Sequence, residues 1–131
     1  MIAWLPGEEP ARSKVHGLLD RAAQGESKLG TSLINLGEVF YLIAKRHRAA
    51  LAERFLADLA AMPIQPLLPG RKLILNAARL KSRYPISYAD AFAVETAREQ
   101  NAVLVTGDPE LWQLSKHEPV DLLWVGAKQI D

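Results

Sequence analysis

The sequence predicts an α/β protein of three layers, α/β/α, with a mostly parallel central sheet. Short apolar segments that do not alternate with polar residues, such as Ala102-Val103-Leu104-Val105-Thr106, suit strands covered on both faces. Between them lie longer segments whose apolar residues recur at i, i+3, i+4 and i+7, the signature of amphipathic helices. The two kinds of segment alternate, which yields βαβ units and parallel pairing. At roughly 100 to 200 residues per domain, a chain of 131 residues is expected to form one unit, residues 1–131.

The elements follow in order. Pro10 suits a first helical turn, Val15, Leu18, Leu19 and Ala22 continue one apolar stripe, and Gly25 stands where that helix stops. A strand is expected from Lys28 to Leu33, passing directly into a helix that carries Leu36, Val39, Phe40, Ile43, Ala44 and His47. The next helix holds Leu51, Phe55, Leu59 and Met62. Ile64 to Leu68 reads as a strand that Pro66 confines to a sheet edge. Leu73, Ile74, Ala77, Ala78 and Leu80 mark a helix after Gly70, which Tyr84-Pro85 ends. Ser87-Tyr88-Ala89-Asp90 opens another, with a face of Ala89, Phe92, Ala93, Thr96 and Ala97 that permits close packing. Ala102 to Thr106 is a strand, Gly107-Asp108-Pro109 turns it into a helix with Leu111, Trp112 and Leu114, and Leu122 to Val125 is the last strand.

Composition narrows the chemistry. Hydrophobic residues are 49% of the chain and charged ones 24%, which excludes disordered and collagen-like classes, and no apolar run nears the ~18 residues of a membrane span. The first residues lack the basic flank and long apolar core of a signal peptide, so the expected location is the cytoplasm. The absence of cysteine removes thiol nucleophiles, disulfides and cysteine-ligated metals. Sixteen basic against fifteen acidic residues leave a net charge of +1, so nucleic-acid contacts would have to come from local patches such as Lys45, Arg46 and Arg48, Arg71 and Lys72, or Arg79, Lys81 and Arg83. Trp4, Trp112 and Trp124 are too scattered for a base-stacking platform.

There is no glycine-rich phosphate loop and no G-x-S-x-G elbow, and His16, His47 and His117 are too far apart for a zinc spacing. What remains are three carboxylates, Glu38, Asp90 and Asp108, each in or just before the first turn of a predicted helix. Capping explains each one singly: Asn35-x-x-Glu38 and Ser87-x-x-Asp90 have capping-box spacing, and Asp108 precedes a proline at the first helical position. Ligands of open parallel sheets collect at the strands' carboxyl ends. If the three carboxylates meet there, their repulsion calls for a cation, and oxygen-only ligands suit Mg²⁺ or Mn²⁺. Such an ion can hold a phosphodiester and activate water for in-line attack.

Three blocks, Thr31-Ser32-Leu33-Ile34-Asn35-Leu36-Gly37-Glu38-Val39, Ile86-Ser87-Tyr88-Ala89-Asp90-Ala91 and Val103-Leu104-Val105-Thr106-Gly107-Asp108, resemble in order and interval the PIN-domain family, specifically the VapC-type toxin ribonucleases of toxin-antitoxin pairs. The resemblance covers essentially the whole chain. It implies a PIN-like α/β/α domain that cuts single-stranded RNA with Mg²⁺ or Mn²⁺, forms a homodimer and is covered by a cognate antitoxin. Glu38, Asp90 and Asp108 would then be the catalytic metal ligands, with Thr106, Ser32 and Asn35 supporting them. One departure stands out: the family normally opens with a strand ending in Asp-Thr-Ser, whose Asp is the first member of the acidic cluster, and residues from Met1 onward resemble the helix after it. The alternative expectation is therefore an inactive PIN-like scaffold that dimerises or binds an antitoxin. A receiver-like phosphoacceptor fits less well, because Ile64 to Leu68 runs into Pro69-Gly70 with no Asp to phosphorylate.

Overall fold

The computed structural model describes residues 11–126, so the expected helical role of Pro10 and the opening segment from Met1 lie outside the described residues. Helix α1, Ala11–Ala23, ends in a tight left-handed cap: Gly25 takes φ 78°, its N–H reaches Ala22 O at 3.1 Å, and Glu26 N–H reaches Arg21 O at 2.9 Å. Strand β1 covers Leu29–Ser32 and stops two residues short of the apolar run. The reason is Ser32. Its hydroxyl accepts from Ile34 N–H at 3.2 Å and so caps helix α2, Leu33–Arg46, which draws Leu33 and Ile34 into the helix. Asn35 thus sits in the first turn of α2 and Glu38 in the second, so the expected Asn35–Glu38 capping box is replaced by the Ser32 cap.

Helix α3, Ala49–Ala60, leads to β2, Ile64–Leu67, which lies parallel to β1 with Thr31 opposite Pro66. Gly70 precedes α4, Arg71–Arg83, and Ser87 caps α5, Tyr88–Glu99, accepting from Asp90 N–H at 3.0 Å. Strand β3 is Leu104–Thr106, shorter than the apolar run, because Ala102 N–H folds back to Ala97 O at 2.8 Å across a left-handed Asn101 (φ 50°). Asp108 caps α6, Pro109–Leu114, and β4, Leu122–Trp124, lies parallel to β3.

Helices and parallel strands give the α/β class that the sequence predicts, with one difference in the sheet. Among the described residues the strands form two pairs, β1 with β2 and β3 with β4, rather than one continuous sheet. Helix α5 bridges them, packing on α2 and α4 and touching both β1 and β3, and every residue from Ala89 to Ala97 is buried. Small side chains at Ala89, Ala91, Ala93 and Ala97 allow neighbouring backbones close on several sides at once. The larger core gathers Leu73, Ala77, Leu80, Phe92, Val94, Leu104, Leu111 and Leu114 around α5. A smaller one joins Val15 of α1 to Ile64 of β2. At its far end α5 is tied down by Arg98, whose guanidinium meets Glu95 and Glu118, each at 3.0 Å. Tyr84 donates to Glu118 at 2.8 Å, which with Arg98 and Arg83 holds this carboxylate below its ordinary range. No helix among the described residues is long and apolar enough to cross a membrane.

Candidate active site

The turn after β3 is built to hold a carboxylate in place. Thr106, buried at the end of the strand, accepts from Asp108 N–H at 3.1 Å. Asp108 Oδ1 then accepts from Glu110 N–H at 2.9 Å, and Pro109 supplies a first helical residue without an N–H to satisfy. The chain crosses here at close range. A Cβ on Gly126 would stand 3.0 Å from the Gly107 backbone and 2.7 Å from the Trp124 ring, so the turn packs directly on the segment after β4.

Asp90 comes from the first turn of α5 and is 3% exposed. Its backbone N–H goes to the Ser87 cap, but its carboxyl group turns away from that cap. It meets Asp108 and Glu110, and one oxygen from each of the three lies within 4.8 Å of the others. Burial, followed by the hydrogen bond and charge of Asp108 and then those of Glu110, pushes Asp90 up to about 8. Near neutral pH the carboxyl therefore keeps a proton that it shares with its neighbours.

Glu38 projects from the second turn of α2. It lies outside the tight group of three, yet its pKa is pushed above the ordinary glutamate value, mainly by burial and then by the charge of Asp108. Asn35, one turn earlier on α2, donates from Nδ2 to Ala89 O at 2.8 Å, which pins α2 to the residue before Asp90. Ser32 acts as the helix cap. Of the residues expected from sequence, then, Asp90 and Asp108 are brought into one cluster, Glu38 borders it, and Asn35 and Thr106 hold its frame.

Glu110 escaped the sequence reading. Its signal was the pair Asp108-x-Glu110 across a proline that starts a helix, because that turn directs both side chains outward from one helix end. Such an arrangement of oxygen donors, one buried and proton-bearing, can exchange its proton for a divalent cation.

A PIN-domain family model matches residues 1–116 of the sequence. The chain belongs to the PIN-domain family. Among solved structures, a chain of VapBC-1 from nontypeable Haemophilus influenzae is similar to it, with a TM-score of 0.58 and 17% identity over 86% of this chain and 90% of that one. A search of curated protein sequences finds no match. The likeness in structure supports an α/β PIN-like fold. Within this PIN domain the Lys81 amine donates to Ile86 O at 2.9 Å and lies 6.0 Å from the centroid of the Tyr88 ring, the residue that opens α5.

Proposed function

We propose that this PIN domain is a metal-dependent endoribonuclease that cuts single-stranded RNA, the toxin of a toxin-antitoxin pair, acting in the cytoplasm with Mg²⁺ or Mn²⁺. The observation that carries the reading is the convergence of Asp90, Asp108 and Glu110 to within 4.8 Å in a chain of this family. The solved VapBC-1 structure supports an antitoxin as partner, and the homodimer belongs to the same proposal.

In this reading Asp90, Asp108 and Glu110 hold the cation directly or through water, and Glu38 faces the same charge from α2. When bound, the ion would polarise a phosphoryl oxygen and acidify a water molecule. Holding a cation would require Asp90 to give up its proton, which would tie binding to pH. Thr106 and Pro109 fix Asp108 before any ligand arrives, and Asn35 fixes the start of α5, so the donor set needs little reorganisation. Lys81 offers a positive charge to an RNA phosphate at the rim.

The two separate strand pairs among the described residues favour a second reading, an inactive PIN-like scaffold that dimerises or binds an antitoxin, because misplacement of about 1 Å can cost on the order of a hundredfold in rate. Cleavage of a single-stranded RNA by the purified protein with Mg²⁺ or Mn²⁺, with and without EDTA, separates the two. Activity that needs the metal and is lost in Asp90→Asn supports the nuclease. Activity that survives chelation, or that persists when Asp90 and Asp108 are both neutralised, removes the cluster from the reaction. Intact RNA with a well-folded protein leaves the scaffold.

A further inference from the structure

Tyr88 opens α5 with its side chain 44% exposed, although every residue from Ala89 to Ala97 behind it is buried. The ring is nonetheless fixed in place. It stacks on Phe92, one turn further along α5, with centroids 5.5 Å apart and planes inclined by 26°, and Phe92 belongs to the larger core. From the last turn of α4, the Lys81 amine lies 6.0 Å from the centroid of the same ring and is itself held by Ile86 O at 2.9 Å. An ammonium has donors to spare beyond that one bond, and both residues are open to solvent.

An exposed aromatic ring beside an anchored cation has the makings of a nucleotide subsite, because single-stranded RNA offers a π-face on every base and a negative phosphate between bases. The acidic cluster needs such help. Three carboxylates within 4.8 Å of one another repel a phosphate until a cation is bound, so a strand has to be gripped outside them. Tyr88 and Asp90 share the first turn of α5 and, at about 100° per residue, leave the helix on roughly opposite sides, so a strand that touches both crosses the helix end. That width is about 10–12 Å, which about three nucleotides span at roughly 3.4 Å each, and fewer when the strand is extended. From Tyr84 to Ala89 the chain carries no acidic residue, so this stretch adds no charge against the phosphates.

We propose that Tyr88 and Lys81 form a nucleotide subsite, in which one base of a single-stranded RNA stacks on the Tyr88 ring and an adjoining phosphate pairs with the Lys81 amine. The substrate class rests on the ribonuclease reading. Stacking uses no hydrogen-bonding edge, so the subsite accepts any base and sets the affinity and path of the strand rather than its sequence. Phe92 and the Ile86 carbonyl hold ring and amine before RNA arrives, which lowers the ordering cost of binding.

The test compares a short single-stranded RNA of mixed sequence with an abasic ribose-phosphate chain of the same length, both titrated in EDTA by fluorescence anisotropy. The parent should bind the RNA more tightly than the abasic chain. Tyr88→Ala should lose about 5–100-fold in affinity for the RNA and little for the abasic chain, and Tyr88→Phe should keep the preference. Lys81→Met should weaken both ligands alike and lower the salt slope by about 1. The ring resonances of Tyr88 should move with the RNA and stay still with the abasic chain. A Tyr88→Ala protein that is folded by circular dichroism and retains the parent's preference for bases would overturn the subsite, as would a parent that has no such preference. Cleavage in Mn²⁺ separates this inference from the reading beneath it: a parent that cuts RNA without preferring bases keeps the nuclease and loses the subsite, and a parent with the Tyr88-dependent preference that never cuts keeps the subsite and loses the nuclease.

Discussion

The two halves of the molecule are held together unequally. Around α4, α5, β3 and α6 a core of twelve buried apolar residues closes on itself, while the half made of α1, β1, α2, α3 and β2 gathers only Val15 and Ile64 into its own cluster. Exposed large apolar side chains occur in both, Leu33, Ile34, Tyr41, Leu51 and Leu56 in this half and Ile74, Leu75, Tyr88 and Val103 in or beside the other, so the difference lies in the buried clusters. The difference teaches where the chemistry rests: Asp90, Asp108 and Glu110 all belong to the well-packed half, and only Glu38 comes from the sparse one. The well-packed half supplies the three clustered carboxylates by itself, whereas the position of Glu38 depends on how α2 is docked.

The largest effect should come from striking the rigid half at the cluster. In a form that cleaves RNA, Asp108→Asn or Asp90→Asn should lower the rate at least about a hundredfold with the fold intact. Glu38→Gln should cost less, on the order of tenfold, because Glu38 borders the tight group. Cleavage assays alongside circular dichroism measure both, and an equal loss in all three would erase the distinction between the halves.

Stability should divide in the same sense. Leu80→Ala or Leu111→Ala removes a side chain that is 1% exposed from the closed core and should cost about 2–5 kcal/mol. Tyr41→Ala or Leu51→Ala, on the open surface of α2 and α3, should stay within about 0.5 kcal/mol. Denaturant titration gives both numbers. A large loss at Tyr41 or Leu51 would mean that this face is buried in solution against a partner.

The closed half is also where the sequence was most legible. The 3.6-residue spacing found α4 and α5, and Gly25, Ser87 and Asp108-Pro109 marked helix ends by local chemistry that survives in the fold. The expected strand runs one residue too far, to Leu33, because apolarity alone cannot tell a buried strand from a helix start, and the Ser32 hydroxyl decides between them. The strand after α5 was read too long because the return of Ala102 to Ala97 is a backbone event with little side-chain signature. Split pairing of the strands, and the meeting of Glu110 with Asp90, depend on contacts between distant segments that no local pattern encodes.

Titration sharpens the comparison further. Asp90 is raised from 3.8 to about 8, so the folded protein holds this proton more tightly than the unfolded chain does. The stability it contributes is full below the unfolded value and is lost as pH rises through about 8. Without metal, the protein should therefore weaken between about pH 4 and pH 8, and Asp90→Asn should flatten that dependence and be the more stable of the two at the upper end. Mn²⁺ or Mg²⁺ should restore the parent and leave the variant unchanged. Thermal melts in EDTA and in excess metal check this, and a parent that grows more stable toward pH 8 in EDTA would show that Asp90 is charged in the folded state.

The smallest effect isolates the frame from the ligands. Thr106 Oγ1 accepts the Asp108 N–H at 3.1 Å and so sets where the Asp108 turn begins. Thr106→Val keeps the shape of this buried side chain but leaves that N–H without its acceptor, which should cost about 1–3 kcal/mol. Thr106→Ser retains the oxygen and should recover most of the loss. If the hydroxyl merely stabilises the turn, Val and Ser will differ in melting temperature but bind Mn²⁺ alike. A positioning role demands more: Thr106→Val should weaken Mn²⁺ binding by about 10–100-fold, as loss of a group that orients a ligand does, and Thr106→Ser should restore it. Calorimetric titration of Mn²⁺ at a temperature where both variants are folded separates the two, and equal affinities would place the hydroxyl in the fold and not in the site.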